Sequence, residues 1–187
     1  MAAAPLNSSE VQYNNKEPRY FTHTEPPSSP DLLDPKSNMS HLQYYNYPGF
    51  GEWASVNLGY SQAVRVGDRI ECSGQGGVKA VESDPVSLED AFPADIKVEI
   101  EQAFRNVDLA LKTAGGKGWS QVFRVTSYHT DLTNEVTALM GENFKKWMPD
   151  HQPIWTEIGV AKLGAEGMNV EIEVVAHDPE GAVKAKE

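Results

Sequence analysis

From Tyr60 onward the apolar pattern of this chain switches period several times, and the order of those switches restricts the fold more than any other feature. A period of two marks a strand and a spacing of three or four marks a helix. Residues 60–66 (YSQAVRV) and 69–75 (RIECSGQ) alternate and are separated by Gly67-Asp68, which reads as a hairpin turn. Residues 95–114 then space Ile96, Ile100, Ala103, Phe104, Val107, Ala110, Leu111 and Ala114 as one helical stripe, with Gly115-Gly116 as the stop. VFRVTSYHT (122–130) is strand-like in its β-branched and aromatic content. Residues 134–148 return to helical spacing through Val136, Leu139, Met140, Phe144 and Trp147, with Asp131 or Thr133 available as a cap. IWTEIGVAKL (154–163) and NVEIEVVAH (169–177) complete the order strand, strand, helix, strand, helix, strand, strand. That order predicts an α+β fold with both helices on one face of a mixed sheet.

Outside this region the text changes character. Residues 1–38 include EPPSSPDLLDPKSN, rich in proline, serine and acids, and read as a disordered N-terminal extension too poor in apolar surface to offset its ordering entropy. Met39 opens the aromatic-rich MSHLQYYNYPGFGEW and is read either as a domain boundary or as an alternative start. The predicted organisation is a domain over 39–178 and a polar tail over 179–187, with residues 78–95 as a long surface loop.

Sixteen basic residues against 27 acidic ones give a net charge of −11. That balance argues against nucleic acid as a partner, since counterion release needs a basic face, and against an anionic membrane surface. No stretch approaches the ~20 apolar residues of a membrane span, and the start has no signal-peptide pattern. A single cysteine, Cys72, excludes an internal disulfide and fits a reducing, cytoplasmic setting. Five histidines without ligand spacing and one thiol offer no metal site, and nothing calls for a cofactor.

Strand alternation sorts the candidate residues by face. Val170, Ile172, Val174 and Ala176 share the face expected to meet the helices, as do Ile70, Cys72 and Gly74. The opposite face then carries Glu171, Glu173, Ser73, Gln75 and the apolar Val175, a mixture that suits either ordinary solvation or self-association around polar clefts. Glu171 and Glu173, about 7 Å apart along one strand face, are the candidate acid/base pair, although two solvated glutamates have the same pattern. His129 beside Tyr128 reads as a base or as a packed histidine. Cys72, on the helix side, reads as an inert thiol. The glycines of SGQGG (73–77) match no phosphate-binding pattern and read as a place where backbone amides approach a small ligand.

The YSQ…SGQ hairpin, the helix ending LALKTAGGKGW, SYHTDL, GVAKL and the terminal NVEIEVVAH strand together resemble the YjgF/Rid family, also called L-PSP/UK114, over about Tyr60 to His177. The resemblance implies a chorismate-mutase-like fold and a homotrimeric barrel with small-molecule clefts between subunits. Deaminase members hydrolyse enamines and imines such as 2-aminoacrylate, and the family also carries an endoribonuclease label that the acidic charge opposes. By resemblance Tyr60, Gly74 and Gln75 contribute to the pocket and Glu171 handles the water; Tyr128, beside His129 on its strand, is a further substrate-binding candidate. The family's substrate-clamping arginine, in a P-x-R-[ST] segment, corresponds to Trp155 of Pro153-Ile154-Trp155-Thr156, and a helix position that often holds asparagine falls at Met140. Both changes exchange polar groups for apolar volume. A carboxylate loses a bidentate, charge-assisted contact at such a site. The expected ligand is therefore neutral or aromatic, with Trp155 as a stacking wall and Glu171 as base or water orienter in an imine, enamine or tautomerisation reaction. The competing expectations are a non-catalytic or chaperone-like binding trimer, and a secondary-metabolism enzyme that reuses the cleft.

Overall fold

A computed structural model describes residues 40–79 and 91–185. Its strands are β1 (Gln43–Tyr45), β2 (Ala63–Val66), β3 (Arg69–Cys72), β4 (Gln75–Gly76), β5 (Val122–His129), β6 (Ile154–Gly159) and β7 (Val170–His177). Its helices are α1 (Phe50–Leu58), α2 (Ile96–Thr113), α3 (Asn134–Trp147) and α4 (Pro179–Lys184), with a 3-10 turn at Gly118–Gln121. The sheet runs β1-β2-β3-β7-β5-β6, and β4 continues beside β7. Among the described residues only β5 and β6 pair in parallel, joined across α3, while β7 inserts antiparallel between β3 and β5. This is the mixed α+β architecture expected from the order of periods.

Local chemistry starts and stops the two long helices. The Asp95 side chain accepts from Lys97 N–H and the Thr133 side chain from Val136 N–H. Such caps typically contribute about 1 kcal/mol each. Gly115, at φ 81°, ends α2 in the left-handed turn that glycine tolerates best. The α2 stripe (Ile100, Ala103, Phe104, Val107, Leu111) is fully buried against Val170, Ile172, Val174 and Ala176 of β7 and Ile70 of β3. Trp119 stacks on Phe104 at 4.6 Å and donates its indole N–H to the Phe104 carbonyl. Phe144 of α3 meets Phe104 edge-on at 5.5 Å, so both helices close over one face of the sheet.

β1, α1, α4 and the 69–75 segment differ from the sequence expectation. β1 and α1 lie in the aromatic stretch that offers no clear period, and Gly51 of α1 fits there because a Cβ would press on the Tyr47 ring and Gln62. The residues read as a polar tail form α4, which the Asp178 side chain caps. Most consequentially, 69–75 is not one strand. Between the pairs Glu71↔Val175 and Gln75↔Ile172 the chain takes four steps while β7 takes three. That bulge reverses the alternation beyond it and turns Gln75 to the helix side, where it is buried, instead of the open face. The expected extension over 1–38 lies outside the described residues, as does most of the 78–95 loop. Among those described, Lys79 N–H donates to the Ala91 carbonyl, so the segment's two ends are neighbours.

Candidate functional site

Glu171 sits where β7 faces the bulge. It pairs with Gly76 on one side and Tyr128 on the other, and its carboxylate lies against Gly74 so closely that a Cβ there would collide with Glu171 Oε1. The glycine of the SGQ motif thus makes room for a carboxylate rather than for a phosphate. Burial first, and the neighbouring Glu173 second, push the Glu171 carboxyl above the usual glutamate range. Tyr128, whose hydroxyl lies 3.4 Å from Glu173 Oε2, is also pushed up, by burial and then by the two glutamates. A half-buried carboxyl with a raised proton affinity, beside a second carboxylate and a phenol, is chemically suited to exchanging a proton with a ligand.

Tyr60 is 38% exposed and lines a cleft of about 480 Å³ with Tyr44, Ser61, Val64, Glu71 and Ser73. Ser73 adjoins Gly74, so this cleft and the Glu171 seat are neighbours. Gln75, expected in the pocket, is instead fully engaged inside the chain. Its Nε2 donates to Gln62 Oε1 at 2.9 Å and to Ser73, and its Oε1 accepts from the Tyr47 hydroxyl at 3.0 Å. The glutamines of YSQ and SGQ are thereby bonded to each other, and the two motifs act as a stitch that sets the bulge.

The structure separates two other candidates from Glu171. Met140 is completely buried in the core beneath α3, a correction to its expected place on a ligand. Methionine has no polar group to keep it at a wet surface, so the apolar stripe of α3 carries it inward. Trp155 lies on the helix side of the sheet, opposite Val125, whereas Glu171 lies on the open side. Its indole N–H donates to Ser127 Oγ at 2.9 Å, and Phe144 meets it edge-on at 4.9 Å. It lines a groove of about 820 Å³ with Phe144, Lys145, Met148, His151 and Pro153. Within one chain the sheet stands between Trp155 and Glu171.

The remaining reactive side chains have settled roles. His129 is fully buried, with Nε2 3.0 Å from Ser127 Oγ. Burial outweighs the Glu157 carboxylate 3.5 Å away and pushes the imidazole down to about 4. It is a neutral, packed histidine. Cys72 is buried, which pushes its thiol up to about 12 and leaves it unreactive. Among the described residues no group of three or more histidine, cysteine, aspartate or glutamate side chains converges on a metal position.

The family described as Endoribonuclease L-PSP matches residues 54–178, the span that holds the bulge, Glu171 and both long helices. This chain belongs to the L-PSP family. The L-PSP chain is 34% identical over 122 residues to the RutC family protein YjgH of Escherichia coli K12, covering 65% of this chain and 84% of that one. It is 30% identical over 116 residues to a 2-iminobutanoate/2-iminopropanoate deaminase of Dermatophagoides farinae, covering 62% and 83%. Among solved structures it is similar to protein YJGH, with a TM-score of 0.59 at 28% identity over 74% of this chain and 97% of that one. A YjgF/YER057c/UK114 family member from Mycobacterium tuberculosis has a TM-score of 0.57 at 26% identity, over 73% and 98%. The YjgF-type fold of this L-PSP chain is thus established.

Sequence reasoning missed Tyr47, Gln62, Glu99 and Asn106 as parts of this region. Glu99 and Asn106 carried a usable signal, being polar residues inside the apolar stripe of α2. Tyr47 and Gln62 had none, because their partnership with Gln75 exists only after β2 and β3 pair.

Proposed function

We propose that this L-PSP chain binds a small neutral or aromatic molecule in clefts between the subunits of a homotrimer, with Glu171 as general base or water orienter on an enamine- or imine-type bond. The observation that carries the reading is the Glu171 carboxyl, held above its usual range on the seat left by Gly74. Tyr60 and Tyr128 supply aromatic and hydroxyl contacts on the same side. Trp155 faces away from Glu171 within its own chain, so the two halves of the cleft come from different copies, with the indole as a wall supplied by a neighbour. A relative named as an imine deaminase supports the reaction class. Where the carboxylate-clamping arginine of the resemblance stands, this chain offers only an indole N–H already donated to Ser127. That favours uncharged imines over the anion of 2-aminoacrylate.

Ammonia release from a panel of neutral and anionic imines tests the proposal. The native protein is expected to turn over neutral imines faster than anionic ones, and Glu171→Gln to abolish the difference from the uncatalysed rate. The absence of turnover with every imine would overturn it. A second reading, a binding trimer without catalysis, is favoured by the indole fixed between Ser127 and Phe144. It predicts ligand-dependent thermal stabilisation that survives Glu171→Gln and weakens in Trp155→Ala.

A further inference from the structure

Helix α2 carries two polar side chains that its apolar stripe does not require. Glu99 is completely buried, and among the described residues its carboxylate meets N–H donors and no cation. Oε1 accepts from the backbone N–H groups of Asn169 at 2.7 Å and Val170 at 3.2 Å, and Oε2 accepts from Asn169 Nδ2 at 3.0 Å. Two turns further on, Asn106 is also buried, and its Nδ2 donates to the carbonyls of Gly76 and Val78, both at 2.8 Å. Its Oδ1 is occupied by Gln102 Nε2. The first side chain therefore grips the entry to β7 immediately before Glu171, and the second grips β4 at the residue paired with Glu171. Gly77 completes the fit, since a Cβ there would run into Glu99.

We infer that Glu99 and Asn106 form a two-point clamp whose role is to position Glu171, by setting how β7 and the short β4 lie against each other where the bulge meets its seat. A buried carboxylate held only by N–H groups is a costly way to join a helix to a strand. An apolar pair would bury the same area, but it would not specify the strand's register. Backbone amides at two successive positions do specify it, because a slip of one residue turns every side chain of β7 to the other face. Asn106 does the same for β4, whose two residues have few ladder bonds of their own. Glu171 is thereby held between Gly74 and Gly76 with Glu173 and Tyr128 as its titratable neighbours. The inference rests on the reading of Glu171 as the working carboxylate, but its test does not depend on turnover.

The test follows the Glu171 carboxyl in the full chain by carbon-detected NMR titration, with Glu171→Gln identifying the resonance. Glu99→Gln keeps one acceptor oxygen and the side chain's shape, and Asn106→Ala removes the second grip. Gln121→Ala is the control, since Gln121 hydrogen-bonds Asp178 at the far end of β7. In both clamp variants the fold is expected to persist by circular dichroism, while the Glu171 midpoint falls toward the ordinary carboxylate range as water gains access. The Gly74 and Gly76 amide shifts are expected to move with it. The control lowers thermal stability without moving that midpoint. An unmoved midpoint in Glu99→Gln, or an equal shift in Gln121→Ala, would overturn the inference. If turnover proves absent while the midpoint shifts as expected, the catalytic reading fails and the clamp stands.

Discussion

Gly74 and Glu171 share a space that only one of them can fill. Replacing Gly74 with alanine puts a methyl group where the Glu171 side chain lies, and that flexible side chain must swing away to admit it. The expected outcome is loss of ligand binding as the carboxylate swings out, with little change in stability. Thermal denaturation and ligand titration of Gly74→Ala measure the two parts. Glu171 itself is expected to oppose folding at neutral pH. A carboxyl whose proton affinity rises on folding contributes stability below its unfolded pKa and loses it as pH climbs through the higher native value. Glu171→Gln should therefore raise Tm at pH 7 by about 2–4 °C for each kcal/mol recovered, and the gain should vanish near pH 4. Equal Tm gains at both pH values would show that the carboxyl is not strained. At this scale the sequence was partly legible: the alternation of β7 put Glu171 and Glu173 on the face away from the helices, but it put Gly74 on the helix face, and the bulge turns that glycine toward Glu171. Gln75 was misplaced by one face because a bulge leaves no mark in the alternation before it.

The helices and strands around this site are tied at both ends of β7. At the far end, Arg65 of β2 donates to the Asp178 carboxylate at 2.8 Å and to the Ala114 carbonyl at the end of α2. Both charged side chains are almost fully buried. Burial alone would push Asp178 up, but hydrogen bonds from Arg65, Gln121 and the Gly181 N–H together hold its carboxyl below the usual range. Removing one partner of such a pair leaves a buried charge unmatched. Arg65→Met is thus expected to cost about 3–5 kcal/mol, measurable as a lower urea midpoint, whereas exposed pairs such as Lys117–Glu180 cost far less. A loss under 1 kcal/mol would refute the assigned role. The element boundaries were legible where a cap or a glycine stop exists, as for α2 and α3. α1 was not, because its apolar residues follow no sustained stripe and its place is decided by Tyr47 and Gln62 packing on Gly51. α4 was hidden for a related reason: six residues hold a helix only through the Asp178 cap and the buried Ala182.

For the whole molecule, the decisive feature is that both long helices cover one face of the sheet and leave the other with exposed Tyr44 and Ile154 and the half-exposed Tyr60, Glu171 and Glu173. A face so mixed is suited to meeting a second copy, and the proposed cleft is incomplete without one. Light scattering on the purified chain is expected to give three times the chain mass, and a monomer at micromolar concentration would remove the basis for a shared cleft. No helix among the described residues is long and apolar enough to cross a membrane. Amino-acid order alone determined the alternation of strands and helices, the apolar face of β7, the glycine stop of α2 and the acidic balance of the chain. These are local periodicities and sums, and each is complete within one short stretch of chain. Tertiary structure alone decided that Gln75 turns inward, that Met140 is core, that Trp155 and Glu171 lie on opposite sides of one sheet, and that Glu99 and Asn106 hold the strands around the candidate carboxylate. Each of these depends on strand register and on contacts between residues far apart in the chain, and register is set by pairing and packing that no single segment contains.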